Sequence, residues 1–121
     1  VCESHSELEA PINTQLLEQA VANLVDNAVK YGPEGSVVRI RAYPENGGIV
    51  LEVSDEGPGI EPKHLPRLFE RFYRVDKARS DRLGGTGLGL AIVKHIATAH
   101  GGTVSVDSRL GQGTAFRIHL P

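Results

Sequence analysis

Asn46-Gly47-Gly48 separates two runs of alternating apolar and polar residues. Val38, Ile40 and Ala42 take one face of the first run, and Ile49, Leu51 and Val53 take one face of the second. A connection this short joins antiparallel strands, because a parallel pair needs a crossover of about a dozen residues or more. The stretch therefore commits residues 36–43 and 49–55 to a hairpin with one apolar face, and something must cover that face.

The spacing supplies the cover. Across residues 14–31, Leu16-Leu17, Ala20-Val21, Leu24-Val25 and Ala28-Val29 recur every four residues. That predicts a helix with one apolar stripe, capped by Asn13 or Thr14 and stopped at Gly32-Pro33. Gln15, Glu18, Ala22 and Asp26 fall on its water side, while Gln19, Asn23, Asn27 and Lys30 form a half-buried border. A second helix is expected over 86–100. Leu88, Ile92 and Ile96 share a face there, thickened by Leu90, Val93, Ala97 and Ala99, and Gly101-Gly102 ends it. Two further strands are expected at Thr103 to Asp107 and Thr114 to Leu120, a short edge strand at Leu8 to Ile12, and a short helix at Pro62 to Phe69. About five strands and about three helices, joined by hairpins, make an α/β (α+β) two-layer sandwich with a mixed, largely antiparallel sheet.

At 121 residues the chain fits one domain, 1–121. The net charge of −2 gives no overall pull toward nucleic acid. Cys2 is the only cysteine, which excludes a disulfide framework. No run approaches the ~18 apolar residues of a membrane span. The chain opens on Val1 and contains no Met, so a piece of a longer protein is expected.

Residues 61–85 break the pattern. Seven of the thirteen Lys and Arg lie between 61 and 82, facing four acids, while Phe69, Phe72 and Tyr73 cluster nearby. A locally basic, loop-rich insert in a negative chain suits a flap over an anion, and equally a solvated surface loop. It ends in Gly84-Gly85-Thr86-Gly87-Leu88-Gly89-Leu90, directly before the second helix. Glycines allow close backbone approach, and a helix start offers free N–H groups to phosphate.

The Walker pattern and the dinucleotide fingerprint are absent, as are the signatures of eukaryotic-type protein kinases. Three pieces still suit a nucleotide. Asn23 and Asn27, four residues apart, can reach one hard cation, with Lys30 beside them for phosphate; alternatively they bond a neighbouring loop. Asp55, at a strand end before Gly57 and Gly59, can accept from an exocyclic amine, or simply cap a local turn. Gly85, Gly87 and Gly89 can cradle phosphate at a positive helix end.

These residues carry a resemblance. Asn23-Leu24-Val25-Asp26-Asn27-Ala28-Val29-Lys30-Tyr31 resembles the N box of sensor histidine kinases. Asp55-Glu56-Gly57-Pro58-Gly59 is similar to their first glycine box, and Leu68-Phe69-Glu70-Arg71-Phe72-Tyr73-Arg74 to their F box. Gly85-Thr86-Gly87-Leu88-Gly89-Leu90 resembles the second glycine box, and Gly111-Gln112-Gly113-Thr114 the third. Five motifs stand in the family's order over nearly the whole chain.

The resemblance implies the ATP-binding (Bergerat) fold with an ATP lid at about 61–86, and ATP and Mg²⁺ as ligands. Asn27 and Asn23 would hold Mg²⁺, and Lys30 would face phosphate. Tyr31 would lie by the base. Asp55 would bond the adenine amine, with Gly57, Gly59 and Ile60 around it and Thr114 helping through water. Gly85, Thr86, Gly87, Leu88 and Gly89 would receive phosphate. Arg74, with Lys77, would reach the γ-phosphate from the lid, and Phe69 and Phe72 would anchor the lid or meet a partner domain.

In the family's ATPase relatives a Glu stands four residues before the second Asn and activates the attacking group. Asn23 holds that place here, and an amide is no general base near neutral pH. His5, His64, His95, His100 and His119 all lack the family's acceptor-site neighbourhood. The resemblance therefore implies a protein histidine kinase catalytic domain, inactive alone, that phosphorylates a histidine on a separate helical dimerisation domain. The parent would be a homodimeric, membrane-attached sensor acting on a response regulator, with this domain in the cytoplasm and no nucleic acid partner. An ATPase module of the chaperone or mismatch-repair kind and a non-catalytic nucleotide-binding module remain the alternatives.

Overall fold

The computed structural model describes residues 2–3, 13–32, 35–74 and 88–121, with Cys2, Glu3 and Tyr31 through their backbone alone. The described strands are β1 (Cys2–Glu3), β2 (Val38–Glu45), β3 (Gly48–Asp55), β4 (Thr103–Arg109) and β5 (Gly113–Leu120). They form one sheet in the order β1-β2-β3-β5-β4. β1 pairs parallel to β2, and every other pairing is antiparallel. The sheet is thus mixed and largely antiparallel, as expected. The strand expected at Leu8 to Ile12 lies outside the described residues, and β1 is instead Cys2–Glu3, beside Ile40 and Arg41.

The hairpin forms where Asn46-Gly47 demands it. Asn46 and Gly47 have φ of 50° and 81°, the paired left-handed conformations of a turn that matches strand twist. Glu45 then faces Gly48, Ala42 faces Leu51 and Ile40 faces Val53, so the apolar sets of both strands share one side.

Two helices cover that side: α1 (Thr14–Tyr31) and α2 (Gly89–Ala99). Asn13 caps α1, its Oδ1 accepting the Leu16 N–H at 3.2 Å. Leu17, Ala20, Leu24 and Ala28 are buried, while Leu16 and Val29 are exposed. Gln19, expected at the half-buried border, is exposed, whereas Asn23, Asn27 and Lys30 are half-buried. On α2 the buried residues are Val93, Ile96 and Ala97, with Leu90 and Ile92 packed at their edge. The short helix expected at Pro62 to Phe69 is a 3-10 helix over Pro62–Arg67.

His100 joins the ends of the helices. Its Nε2 accepts the Asn13 backbone N–H at 3.0 Å, and its Nδ1 donates to the Ile96 carbonyl at 2.8 Å. The start of α1 therefore lies against the end of α2. Packed side by side over one core, the two helices run in opposite directions. An eleven-residue helix is ~16 Å long, which brings the start of α2 toward the Asn23–Lys30 half of α1.

The far side of the sheet is also partly buried, which alternation alone does not predict. Val50 is 2% exposed and Glu52 6%. Glu52 is enclosed by Arg117 at 2.7 Å, Arg41 at 3.5 Å and the Tyr43 hydroxyl at 3.3 Å. Burial alone would lower the Arg117 pKa; hydrogen bonds to the Asp107 and Glu52 carboxylates outweigh it and raise it. No helix among the described residues is long and apolar enough to cross a membrane.

Candidate functional site

The site begins where the apolar core stops. Val53, Phe116 and Val106 stand in one row across β3, β5 and β4, facing the helices. One pleat further along, the same face carries Asp55, Thr114 and Ser108 in a second row. Sheet register thus converts an apolar row into a polar one at the rim of the core.

Asp55 accepts the Gly57 N–H at 2.8 Å on Oδ1 and also takes the Thr114 backbone N–H. Burial raises its pKa, and these two donors pull the other way. Thr114 is 7% exposed, and its hydroxyl lies 2.8 Å from that of Ser108. The Ser108 hydroxyl accepts the Ile60 N–H at 2.8 Å and donates to the Gly113 carbonyl at 3.0 Å. Ser108 was not singled out from the sequence, because a serine in an alternating strand carries no local signal; only its register opposite Thr114 does.

Two glycines make the close approaches here. Gly59 has φ +78°, and a Cβ on it would fall 2.2 Å from the Arg109 carbonyl oxygen. Gly113 has φ +122°, and a Cβ there would meet the Asp55 carbonyl oxygen at 2.1 Å. Gly111 N–H donates to the Pro58 carbonyl at 2.8 Å, so the loop after β3 is pinned to the β4–β5 turn. The same loop touches the end of α1, where a Cβ on Gly57 would lie 3.5 Å from Gly32 Cα. The first and third glycine boxes and the end of the N-box helix therefore meet.

On α1, the buried Asn23 Nδ2 has no hydrogen-bond partner among the described residues. A buried N–H donor of this kind takes an acceptor such as a phosphate oxygen, whereas only the Oδ1 of the same amide can face a cation. Asn27 is half-buried one turn on. Oxygen-donor amides one turn apart fit a hard cation that keeps waters and shares phosphate oxygens. The Lys30 ammonium pairs with Asp26 at 3.0 Å, and a pair whose carboxylate is exposed is weak enough to exchange for phosphate.

At the start of α2, Leu88 is the N-cap, and no side chain among the described residues caps the helix. Beside Gly89 the space is open among the described residues. Gly85, Thr86 and Gly87, with Lys77, lie outside the described residues. Arg74 is described and half-buried. The described part of the expected lid, through Arg74, is rooted in the core. Leu68 is buried, and Phe69 packs edge-on against Phe116 with centroids 6.1 Å apart. Arg67 lies over the Tyr73 ring at 4.5 Å, and the Tyr73 hydroxyl contacts His64 Nδ1. Phe72 instead projects outward, 67% exposed and at φ 64°.

A carboxylate at a strand end thus lies beside two docked glycine loops, near the end of α1. Residues 12–121 match the family described as histidine kinase-, DNA gyrase B-, and HSP90-like ATPase, and the chain belongs to that family. Within it, similar relatives include sensor histidine kinases. The phosphate regulon sensor protein PhoR of Pseudomonas aeruginosa is 52% identical over 104 residues, 86% of this chain and 24% of PhoR. The chain thus spans about a quarter of the length of that curated relative. Among solved structures, the mycobacterial sensor histidine kinase MprB superposes with a TM-score of 0.82 at 42% identity, covering 93% of this chain and 76% of the other. Full-length ShkA, solved in complex with AMPPNP, matches with a TM-score of 0.78 at 35% identity, covering 99% of this chain and 25% of that one.

Proposed function

We propose that this domain binds Mg-ATP and delivers its γ-phosphate to a histidine on a separate helical dimerisation domain, as the first step of two-component signalling to a response regulator. The observation that carries the reading is the Asp55–Thr114 pair at the end of β3 and β5, set against the end of α1 by the Gly57 loop. The ShkA–AMPPNP complex supports the same ligand class.

Each residue then has a task. Asp55 accepts the adenine N6 amine, and Gly57, Gly59 and Ile60 let the ring lie against backbone, with Tyr31 at its edge. Thr114 adds an acceptor through water. Asn27, with Asn23, would hold Mg²⁺, which would supply positive charge to the phosphates. Lys30 exchanges Asp26 for phosphate. The start of α2, Leu88-Gly89 with Gly85, Thr86 and Gly87 before it, receives phosphate with its N–H groups. Arg74 and Lys77 reach the γ-phosphate from the lid. Phe69 holds the lid root, and exposed Phe72 meets the partner domain. Catalysis rests on positioning and charge, because the Asn23 amide cannot take a proton from an attacking group. The parent would be a membrane-attached homodimer with residues 1–121 as one cytoplasmic domain.

The test adds radiolabelled ATP to this domain with and without the parent's helical domain. Label on the helical domain's histidine, with little ATP hydrolysis in its absence, is expected. Rapid turnover by the isolated domain would overturn the kinase reading in favour of an ATPase.

A further inference from the structure

The row Asp55–Thr114–Ser108 contains one hydroxyl whose hydrogen position is fixed by its neighbours. Ser108 Oγ lies 2.8 Å from the Ile60 backbone N, 3.0 Å from the Gly113 carbonyl oxygen and 2.8 Å from Thr114 Oγ1. A serine hydroxyl has one hydrogen and two lone pairs. The Ile60 N–H takes one lone pair. A carbonyl oxygen only accepts, so the Ser108 hydrogen goes to Gly113. Ser108 then has a single lone pair for Thr114, and the Thr114 hydroxyl must donate to it. Were the Thr114 contact reversed, Ser108 would have no hydrogen left for Gly113, and two oxygens would face each other at 3.0 Å.

Thr114 is therefore left with lone pairs only on its ligand side. The Asp55 carboxylate beside it is also an acceptor. Given the nucleotide reading above, on which this rests, we infer that Ser108 is a positioning residue for base selection: through Thr114 it turns the base site into an acceptor-only row that takes an exocyclic amine and rejects a carbonyl. The chemical class selected is a 6-aminopurine over a 6-oxopurine. Sites that pair buried polar groups discriminate strongly against partners that leave those groups unpaired.

ATP and inosine triphosphate differ at that edge, so equilibrium binding of both to the intact chain reads the effect. Wild type is expected to prefer ATP by at least about tenfold, the value of one hydrogen bond near 1.4 kcal/mol. Ser108→Ala frees the Thr114 hydrogen to turn toward ligand, and the preference is expected to fall by about threefold to tenfold. Ser108→Thr keeps the hydroxyl and restores it. Should Ser108→Ala not fold, Ser108→Cys keeps the side-chain length with a weaker acceptor and carries the same expectation. A merely structural Ser108 would weaken both nucleotides equally and leave the ratio unmoved, which overturns the inference. Equal binding of both nucleotides by wild type overturns it too, while leaving the nucleotide reading intact. Binding of neither overturns the nucleotide reading itself.

Discussion

Asp55 stands directly opposite Thr114 across β3 and β5 and takes that residue's backbone N–H. The position is desolvated enough that burial outweighs both N–H donors, and the Asp55 pKa lies above the ordinary value of 3.8. An acid with a raised folded pKa binds more protons folded than unfolded between the two values. Its contribution to stability is complete below 3.8 and is lost as pH rises through the folded pKa. Nucleotide binding runs the other way, because accepting an amine needs the carboxylate. ATP affinity is therefore expected to fall on acidification from a pH above 3.8. Asp55→Asn should bind about tenfold or more weakly and lack that limb. Calorimetric titration across pH checks this, and parallel curves would reject the adenine assignment.

Asn23 makes the opposite kind of trade. Its buried Nδ2 lacks a partner among the described residues. Asn23→Leu is expected to raise the stability of the nucleotide-free domain by about 1 kcal/mol while weakening Mg-dependent ATP binding about tenfold. A denaturant titration that instead shows a loss of about 1 kcal/mol would mean the amide is already satisfied.

Gly59 is held by its φ of +78° and by the Arg109 carbonyl. Gly59→Ala should cost about 2–3 kcal/mol and move the loop that carries Ile60. Urea midpoints and nucleotide affinity are expected to fall together.

Phe69 and Phe72 separate anchoring from docking. Phe69→Ala removes an edge-on contact with Phe116 and should cost about 3 kcal/mol. Phe72→Ala, at an exposed site, should stay within about 0.5 kcal/mol of wild type yet slow phosphorylation of the helical domain several-fold. Unchanged phosphorylation by the second variant would remove Phe72 from the docking surface.

On the far face, Glu52→Ala should cost about 1–2 kcal/mol, because it takes from Arg117 and Arg41 the carboxylate they share while Arg117 keeps Asp107. Glu52→Gln keeps the acceptor oxygen and should cost less. Thermal denaturation of the two variants orders them.

Much of this was legible in residue order because it depends on local periodicity. The four-residue stripe sets α1 from Thr14 to Tyr31, and Asn46-Gly47 sets the turn that aligns β2 with β3. The motifs at Asn23–Tyr31, Asp55–Gly59 and Gly111–Thr114 are short and local too. Less legible were residues whose surroundings come from distant segments. Leu16 and Val29 belong to the stripe by pattern, yet both are exposed. Val50 and Glu52 look solvent-facing by alternation, yet side chains from β2 and β5 bury them.

By itself the sequence determined the two long helices, the antiparallel hairpins β2–β3 and β4–β5, and the five motifs that carry the resemblance. Tertiary structure alone decided which side chains share a row. Asp55 is far in the chain from Ser108 and Thr114, which a turn separates, and only strand register sets the three side by side at the core's edge. Register is a long-range property, fixed by how apolar faces pack and by the turns that close them. That is why the polarity of the base site, and the part Ser108 plays in it, emerges only once the sheet is assembled.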